Sequence, residues 1–275
     1  NELTGVYLVK KFERFPELLH RHSFECVTLV ANPQAVAANR RYIDRDLNRS
    51  FEHEDLLNPA LTGYEEKRAK EIAIQLTDVD LIIDLHSSTA NMGLTILPSS
   101  RDPFNLRLAA YLRELYPQVQ VCYGLKCSSA DPMLRSLSPL GCTIEVGAVA
   151  QGVLDANLFQ QTEILVYAIL DYLAAANQGK LPPVPSSMSV YQTLSSVDYP
   201  RNRAGEVQAM IHPQLQFRDY QPLHPDDPMF LTFTGETIPY RGETTVFPIF
   251  INEAAYYEKG IAMTFTAKQR LEIEP

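Results

Sequence analysis

The chain has 275 residues, a net charge of −9 and a pI near 5.2, with 45% hydrophobic and 21% charged residues. That length holds one large or two moderate domains with a sizeable core, and the acidic balance argues against a nucleic-acid partner, whose phosphates call for concentrated Lys and Arg. No apolar run approaches the ~20 residues that span a bilayer, so no membrane partner is expected, and four cysteines without a CxxC pair read as the reduced thiols of a cytoplasmic protein. The chain begins at Asn1 rather than at Met, and an N-terminal piece is expected to precede it.

In chain order, Val6, Leu8, Val9, Phe12 and Phe15 predict a helix with Glu2 in its first turn, where the helix dipole alone favours an acid. Residues 25–31 read as a strand ended by Asn32-Pro33, 35–40 as a short helix, and 41–49 as a loop crowded with charge. Over 64–76, Ala69, Ile72, Ala73 and Leu76 share one helical face, with Glu65, Glu66, Lys67 and Arg68 towards water. The stretch around which the chain is organised follows at 79–88. Its Val79, Leu81, Ile82 and Ile83 suit a strand buried on both faces of a mixed or parallel sheet. It breaks into Asp84-Leu85-His86 and a Ser/Thr loop at the carboxyl end, the edge where open α/β sheets bind ligands. A strand at 94–97, a helix at 105–115 and a strand at 118–123 come next, then a short β-like run at 143–147 interrupted by an acid. A long helix at 154–176 is closed by Gly179 and the prolines at 182, 183 and 185. Alternating strands and helices indicate an α/β domain over 1–179. Residues 187–275, rich in Thr, Val, Phe and Tyr with Pro and Gly turns, indicate a β-rich one over 180–275, joined through 178–187.

A hydrolytic metal site commonly takes three protein ligands and keeps a position for water, whose pKa then falls to about 7. His86 at the strand end, two residues after a carboxylate, is either a ligand or a hydrogen-bonded sheet-end histidine; Glu2 is either a ligand or a partner of the helix dipole. A third ligand is not evident among His20, His22, His53, His212 and His224, which fall at a helix end, in an acidic loop or before prolines. Glu145, between Ile144 and Val146, should be desolvated and its pKa raised. That suits a group that takes a proton from water and returns it to a leaving amine; a buried carboxylate paired with an arginine is the plain alternative. Arg41, Arg49 and Arg135 carry planar forks suited to carboxylates, and Asn48 beside Arg49 adds an amide, although loop arginines are usually solvated or salt-bridged surface groups.

These residues sit in longer runs: NELTG at 1–5, RYIDRDLNR at 41–49, DLHSSTANMG at 84–93, IEVG at 144–147, QGVL at 151–154, HPDDPMFLT at 224–232 and NEAAYYEK at 252–259. Over nearly its full length the chain resembles the aspartoacylase/succinylglutamate desuccinylase family of zinc-dependent amidohydrolases. The resemblance implies a zinc carboxypeptidase-like α/β fold, a mixed sheet flanked by helices in 1–179, followed by a smaller β-rich domain at 180–275 that covers the active-site entrance. It implies one Zn2+ per subunit held by Glu2 and His86, with the first histidine of the family's His-x-x-Glu motif falling two residues before Asn1. Carried over position by position, Glu145 matches the general acid/base and Arg41 the group that stabilises the oxyanion. Asn48 and Arg49 match the clamp on the substrate α-carboxylate, Arg135 the grip on its side-chain carboxylate, and Tyr256 a contact from the second domain. Asp84 and Asp46 would orient a ligand or an arginine. One departure is Asp131, which stands where the family has a tyrosine and bears on substrate preference. The implied function is zinc-dependent hydrolysis of an N-acyl-L-amino acid, with N-acetyl-L-aspartate the leading small-molecule substrate. The rivals are N-acyl aromatic, neutral or succinylated amino acids, and a non-catalytic binding protein on the same scaffold. A homo-oligomer is left open.

Overall fold

Helix α1 spans Leu3–Arg14, and its Leu8 and Phe12, one turn apart, sink into the core. It can lie close on the sheet because position 5 is glycine: a Cβ there would stand 2.9 Å from the Leu85 Cβ and 3.0 Å from the Leu85 carbonyl oxygen. The computed structural model describes residues 1–124 and 133–274. Within them, five further helices follow: α2 (Pro33–Ala37), α3 (His53–Leu57), α4 (Tyr64–Gln75), α5 (Pro103–Leu115) and α6 (Ala156–Asn177). The strands are β1 (Leu81–Ser87), β2 (Gly93–Pro98), β3 (Val119–Tyr123), β4 (Leu140–Gly147), β5 (Ser187–Val197), β6 (Ala209–Ile211), β7 (Pro228–Thr232), β8 (Thr237–Pro239), β9 (Phe247–Ile249) and β10 (Met263–Glu272). No helix among the described residues is long and apolar enough to cross a membrane.

Seven strands form one mixed sheet in the order β1-β4-β2-β3-β5-β10-β9, and β6, β7 and β8 form a smaller one. β1 runs parallel to β4, β4 antiparallel to β2, β2 parallel to β3, and β3 parallel to β5. One apolar layer lies between this sheet and α1, α5 and α6, built from residues such as Leu8, Leu108, Ile144 and Ile169. Ile82 of β1 takes part in a second layer, packed with Ala69 and Ile72 of α4 and with Leu47, Phe51 and Leu134. A third cluster, including Phe230, Val246 and Met263, fills the β-rich C-terminal part.

The structure is a mixed α/β sheet flanked by helices with a smaller β-rich C-terminal region, as the sequence indicates, and four local expectations need correction. Residues 25–31 form no strand; the Arg68 side chain takes up the Val30 and Ala31 carbonyls, the latter at 2.8 Å, where a ladder partner would otherwise sit. β1 is not buried on both faces: it ends the sheet, and most of its residues are half-buried. Glu65 does not face water but is fully buried. From the β-rich C-terminal part, β5, β10 and β9 continue the first sheet. β4 is also longer than the 143–147 run, beginning at Leu140. Its Gly141 has φ +122°, and a Cβ there would lie 1.9 Å from the Ile82 carbonyl oxygen, so only glycine allows the β1–β4 register.

Candidate functional site

The carboxyl ends of β1 and β4 bring His86 and Glu145 side by side, in register across the parallel pair. Glu2, the residue immediately before the first turn of α1, reaches over β1. Its Oε2 lies 3.0 Å from His86 Nδ1 and accepts the Ser87 N–H at 2.9 Å, while Oε1 meets Arg41 Nη1 at 2.5 Å. The other ring nitrogen of His86 stands 3.1 Å from Asp84 Oδ2 and 3.0 Å from Asn48 Nδ2. The Asn48 amide is oriented by its oxygen, which accepts the Leu134 N–H at 2.9 Å.

The charged loop 41–49 supplies the next layer. Arg41 touches Asp46 Oδ2 at 3.3 Å, and the same oxygen receives Lys259 Nζ at 2.5 Å. Asp46 also opens the 3-10 turn Leu47–Arg49, its Oδ1 accepting the Asn48 N–H at 3.1 Å. Arg49 donates to the Asn48 carbonyl at 2.7 Å. Tyr256 comes from the 3-10 turn Ala254–Lys259, with Lys259 Nζ 5.4 Å from its ring centroid. It is close enough to Arg49, Glu145 and Arg41 to feel their charges, and burial raises its pKa. Arg135 is buried in a 3-10 turn, Leu134–Leu137, and donates to Thr143 Oγ1 at 3.4 Å; Thr143 is the register partner of Asp84.

The electrostatics divide the carboxylates. Burial works to raise the pKa of Glu2, but His86 and Arg41 outweigh it and hold the group well below the carboxylate range. The same holds for Asp46, where burial is overcome by Arg41 and Lys259, and for Asp84, where it is overcome by His86 and then Arg135. Burial opposes the charged form of His86 too, but Asp84 and Glu2 raise its pKa well above the usual histidine value. Glu145 behaves in the opposite way. Burial pushes it up to about 8 against the pull of His86 and Arg41, and the charges of Glu2 and Glu253 add to the effect.

His86 Nδ1 and Glu2 Oε2 face one another, and the remaining ring nitrogen of His86 sits against a carboxylate, an arrangement commonly seen around metal-bound histidine. Nitrogen and carboxylate oxygen are both donors that zinc accepts. These two residues fit part of a zinc set; among the described residues no group of three His, Cys, Asp or Glu could hold a metal by itself. Asp131 lies outside the described residues.

Three residues of the site's surroundings escaped the sequence reading. Lys259 completes the Asp46 pair. Glu253, buried, accepts from Ser88 Oγ, from the Thr89 N–H at 2.8 Å, from Thr89 Oγ1 at 3.0 Å and from the Ala90 N–H at 3.3 Å, which pins the loop that follows β1. Glu65 accepts the N–H groups of Ile43, Asp44 and Arg45 within loop 41–49. The signal for the first two was their place in NEAAYYEK beside Tyr256; Glu65 left none, because it follows a helix start where acids are common anyway.

A family model described as "Succinylglutamate desuccinylase/Aspartoacylase catalytic domain" matches residues 1–173, and one described as "AstE/AspA barrel-sandwich hybrid domain" matches 186–268. A "Probable aspartoacylase" of Nostoc sp. is 56% identical, over 98% of this chain and 93% of its own length. The human "N-acyl-aromatic-L-amino acid amidohydrolase (carboxylate-forming)" is 41% identical, over 98% and 87%. The crystal structure of murine aminoacylase 3 superposes with a TM-score of 0.94 at 39% identity, covering 99% of this chain and 93% of that one.

Proposed function

The chain belongs to the succinylglutamate desuccinylase/aspartoacylase family, and on that premise we propose that its site hydrolyses the amide bond of an N-acyl-L-amino acid with the help of zinc. The observation that carries the reading is a buried Glu145, its pKa pushed up to about 8, in register with a His86 whose ring faces Glu2. A group titrating near neutrality can both take and return a proton, and that is what amide hydrolysis demands. Glu2 and His86 would hold the zinc ion, which supplies Lewis acidity and a lowered pKa for water. Glu145 takes one proton from the water whose oxygen bonds to the acyl carbon. Arg41 faces the negative charge that develops on the acyl oxygen, as a fixed cation in a sheltered site. When the C–N bond breaks, Glu145 gives that proton to the departing amine, leaving a carboxylate and a free amino acid. Asp84 keeps the His86 ring oriented, and Asp46 does the same for Arg41.

The leading substrate is N-acetyl-L-aspartate. Asn48 and Arg49 would receive its α-carboxylate, Arg135 its side-chain carboxylate, and Tyr256 would close the pocket from the C-terminal part, in which 180–275 forms a domain over the entrance. A second reading, N-acyl aromatic amino acids, is favoured by one observation: Arg135 is buried against Thr143 beside Asp84, where its charge serves the His86 partner. The test is acetate release by the zinc-loaded full-length protein from N-acetyl-L-aspartate and N-acetyl-L-tyrosine, each with and without a chelator. Chelator-sensitive turnover favouring the aspartate substrate supports the leading reading, and turnover of the tyrosine substrate alone moves specificity to the second. No hydrolysis of either, with zinc bound, would sink both.

A further inference from the structure

A buried carboxylate needs a reason to be buried, because desolvation disfavours its charge unless donors replace the lost water. Glu65, in the first turn of α4, has one. It is fully buried, and its two oxygens accept the N–H groups of Ile43 at 2.6 Å, Asp44 at 3.0 Å and Arg45 at 3.2 Å, with the Asn32 amide at 3.0 Å as a further donor. Three successive backbone donors aimed at one carboxylate define the path of the chain through 43–45. That stretch joins Arg41, which contacts Glu2, to Asp46, which contacts Arg41 and Lys259.

We propose that Glu65 is a positioning residue of the site: its carboxylate gathers the 43–45 backbone and thereby sets where the Arg41 guanidinium stands. It touches neither substrate nor reacting atoms and acts through Arg41. Asn48 and Arg49 depend on it less, because Asp46 caps their turn and the Leu134 N–H holds Asn48 from the far side. The donors also keep Glu65 ionised: burial works to raise its pKa, but the Ile43, Asn32, Asp44 and Arg45 contacts bring it below the usual value. The catalytic part of the inference rests on the amidohydrolase reading; the loop-holding part does not.

The test substitutes Glu65→Gln, which keeps shape but sets an amide NH2 against backbone N–H groups. Hydrogen–deuterium exchange of the full chain is read first. The 43–45 amides should exchange at least about tenfold faster while amides of β1, β4 and the rest of α4 keep their rates. A double-mutant cycle with Arg41→Ala follows, on N-acetyl-L-aspartate or N-acetyl-L-tyrosine, whichever the protein turns over. Misplacing a group by about 1 Å can cost about a hundredfold, so Glu65→Gln should lower kcat/KM by about 10- to 100-fold in the Arg41 protein. In the Arg41→Ala background it should cost less than about threefold, because the residue it acts through is gone. Equal losses in both backgrounds would mean general destabilisation and overturn the proposal, as would unchanged or uniformly faster exchange. If Glu65→Gln does not fold, Glu65→Asp, whose carboxylate is drawn back by one methylene, is read by the same criteria. A protein that hydrolyses neither substrate defeats the amidohydrolase reading, and the exchange result alone then decides the role of Glu65.

Discussion

Replacing Glu253 by alanine should destabilise the protein more than any single change at its neighbours on the same turn. Glu253 Oε2 is the common acceptor for Ser88 Oγ, the Thr89 N–H and hydroxyl, and the Ala90 N–H, and Oε1 accepts the Ala255 N–H at 2.9 Å. Not every loss counts equally. The Ala90 N–H has Ser88 Oγ as a second acceptor at 3.0 Å, and the two hydroxyls can rotate towards other partners. The Thr89 and Ala255 N–H groups are the ones left short, each at about 1–3 kcal/mol, and a hydrogen bond to a charged acceptor is itself worth about 1.5–3 kcal/mol. A net cost of about 3–5 kcal/mol follows, a large share of the ~5–15 kcal/mol by which domains are stable. Glu253→Gln is the informative companion. Its amide can turn its oxygen to the Ser88–Ala90 loop and forfeit only the Ala255 contact, so it should cost about 1–2 kcal/mol. Urea unfolding of the three proteins at matched slope reads both numbers. Alanine and glutamine variants of equal stability, or an alanine variant within about 1 kcal/mol of the parent, would refute the claim that this carboxylate pins the loop after β1.

Other consequences are as open to measurement. Glu145→Ala should lower kcat by several orders of magnitude while zinc content and the melting curve stay near those of the parent; near-normal turnover would end its assignment as the proton-transfer group. Asp219 accepts the N–H groups of Asn91 and Ile251, each at 3.1 Å, yet burial pushes its pKa up to about 6 from an ordinary 3.8. The folded chain therefore holds this proton more tightly than the unfolded one, so its contribution favours folding below pH 4 and is lost as pH rises towards 6. The loss is about 3 kcal/mol, and the difference in stability between pH 4 and pH 7 should shrink in Asp219→Asn. Arg135→Ala should impair N-acetyl-L-aspartate turnover, chiefly in KM, if its guanidinium meets the substrate side chain. A fall in zinc affinity with unchanged substrate preference would show instead that it serves Asp84.

The fold was legible where apolar spacing decided it. α1, α4, α5, α6, β2 and β3 all lie within a few residues of their expected positions, because each is set by its own periodicity. Periodicity failed where a partner decides. Residues 25–31 carry a strand-like sequence but meet the Arg68 side chain instead of a neighbouring strand. β5, the first strand of the β-rich part, pairs with the edge of β3, and β10 and β9 follow it into the same sheet, a pairing that periodicity alone does not show. At the site, desolvation of Glu145 was readable from its two apolar neighbours alone. Glu65 was not readable, since an acid at a helix start is ordinarily solvated, and only the backbone of a distant loop explains its burial.

The charges of the site follow an order that no single residue reveals. From Asp84 through His86, Glu2, Arg41 and Asp46 to Lys259, acids and bases alternate, each step within 3.3 Å. In such a run every carboxylate has a basic group on at least one side, and all three are held below their ordinary range despite burial. Glu145 stands beside the alternation: burial raises its pKa above all, the like charges of Glu2 and Glu253 add to that, and His86 and Arg41 oppose it. Environments that push neighbouring carboxyls apart in pKa can sort them by task, and the proposed mechanism gives the proton transfer to Glu145. The alternation holds its own carboxylates as anions, whereas at Glu145 burial prevails over the pull of His86 and Arg41 and keeps the proton on.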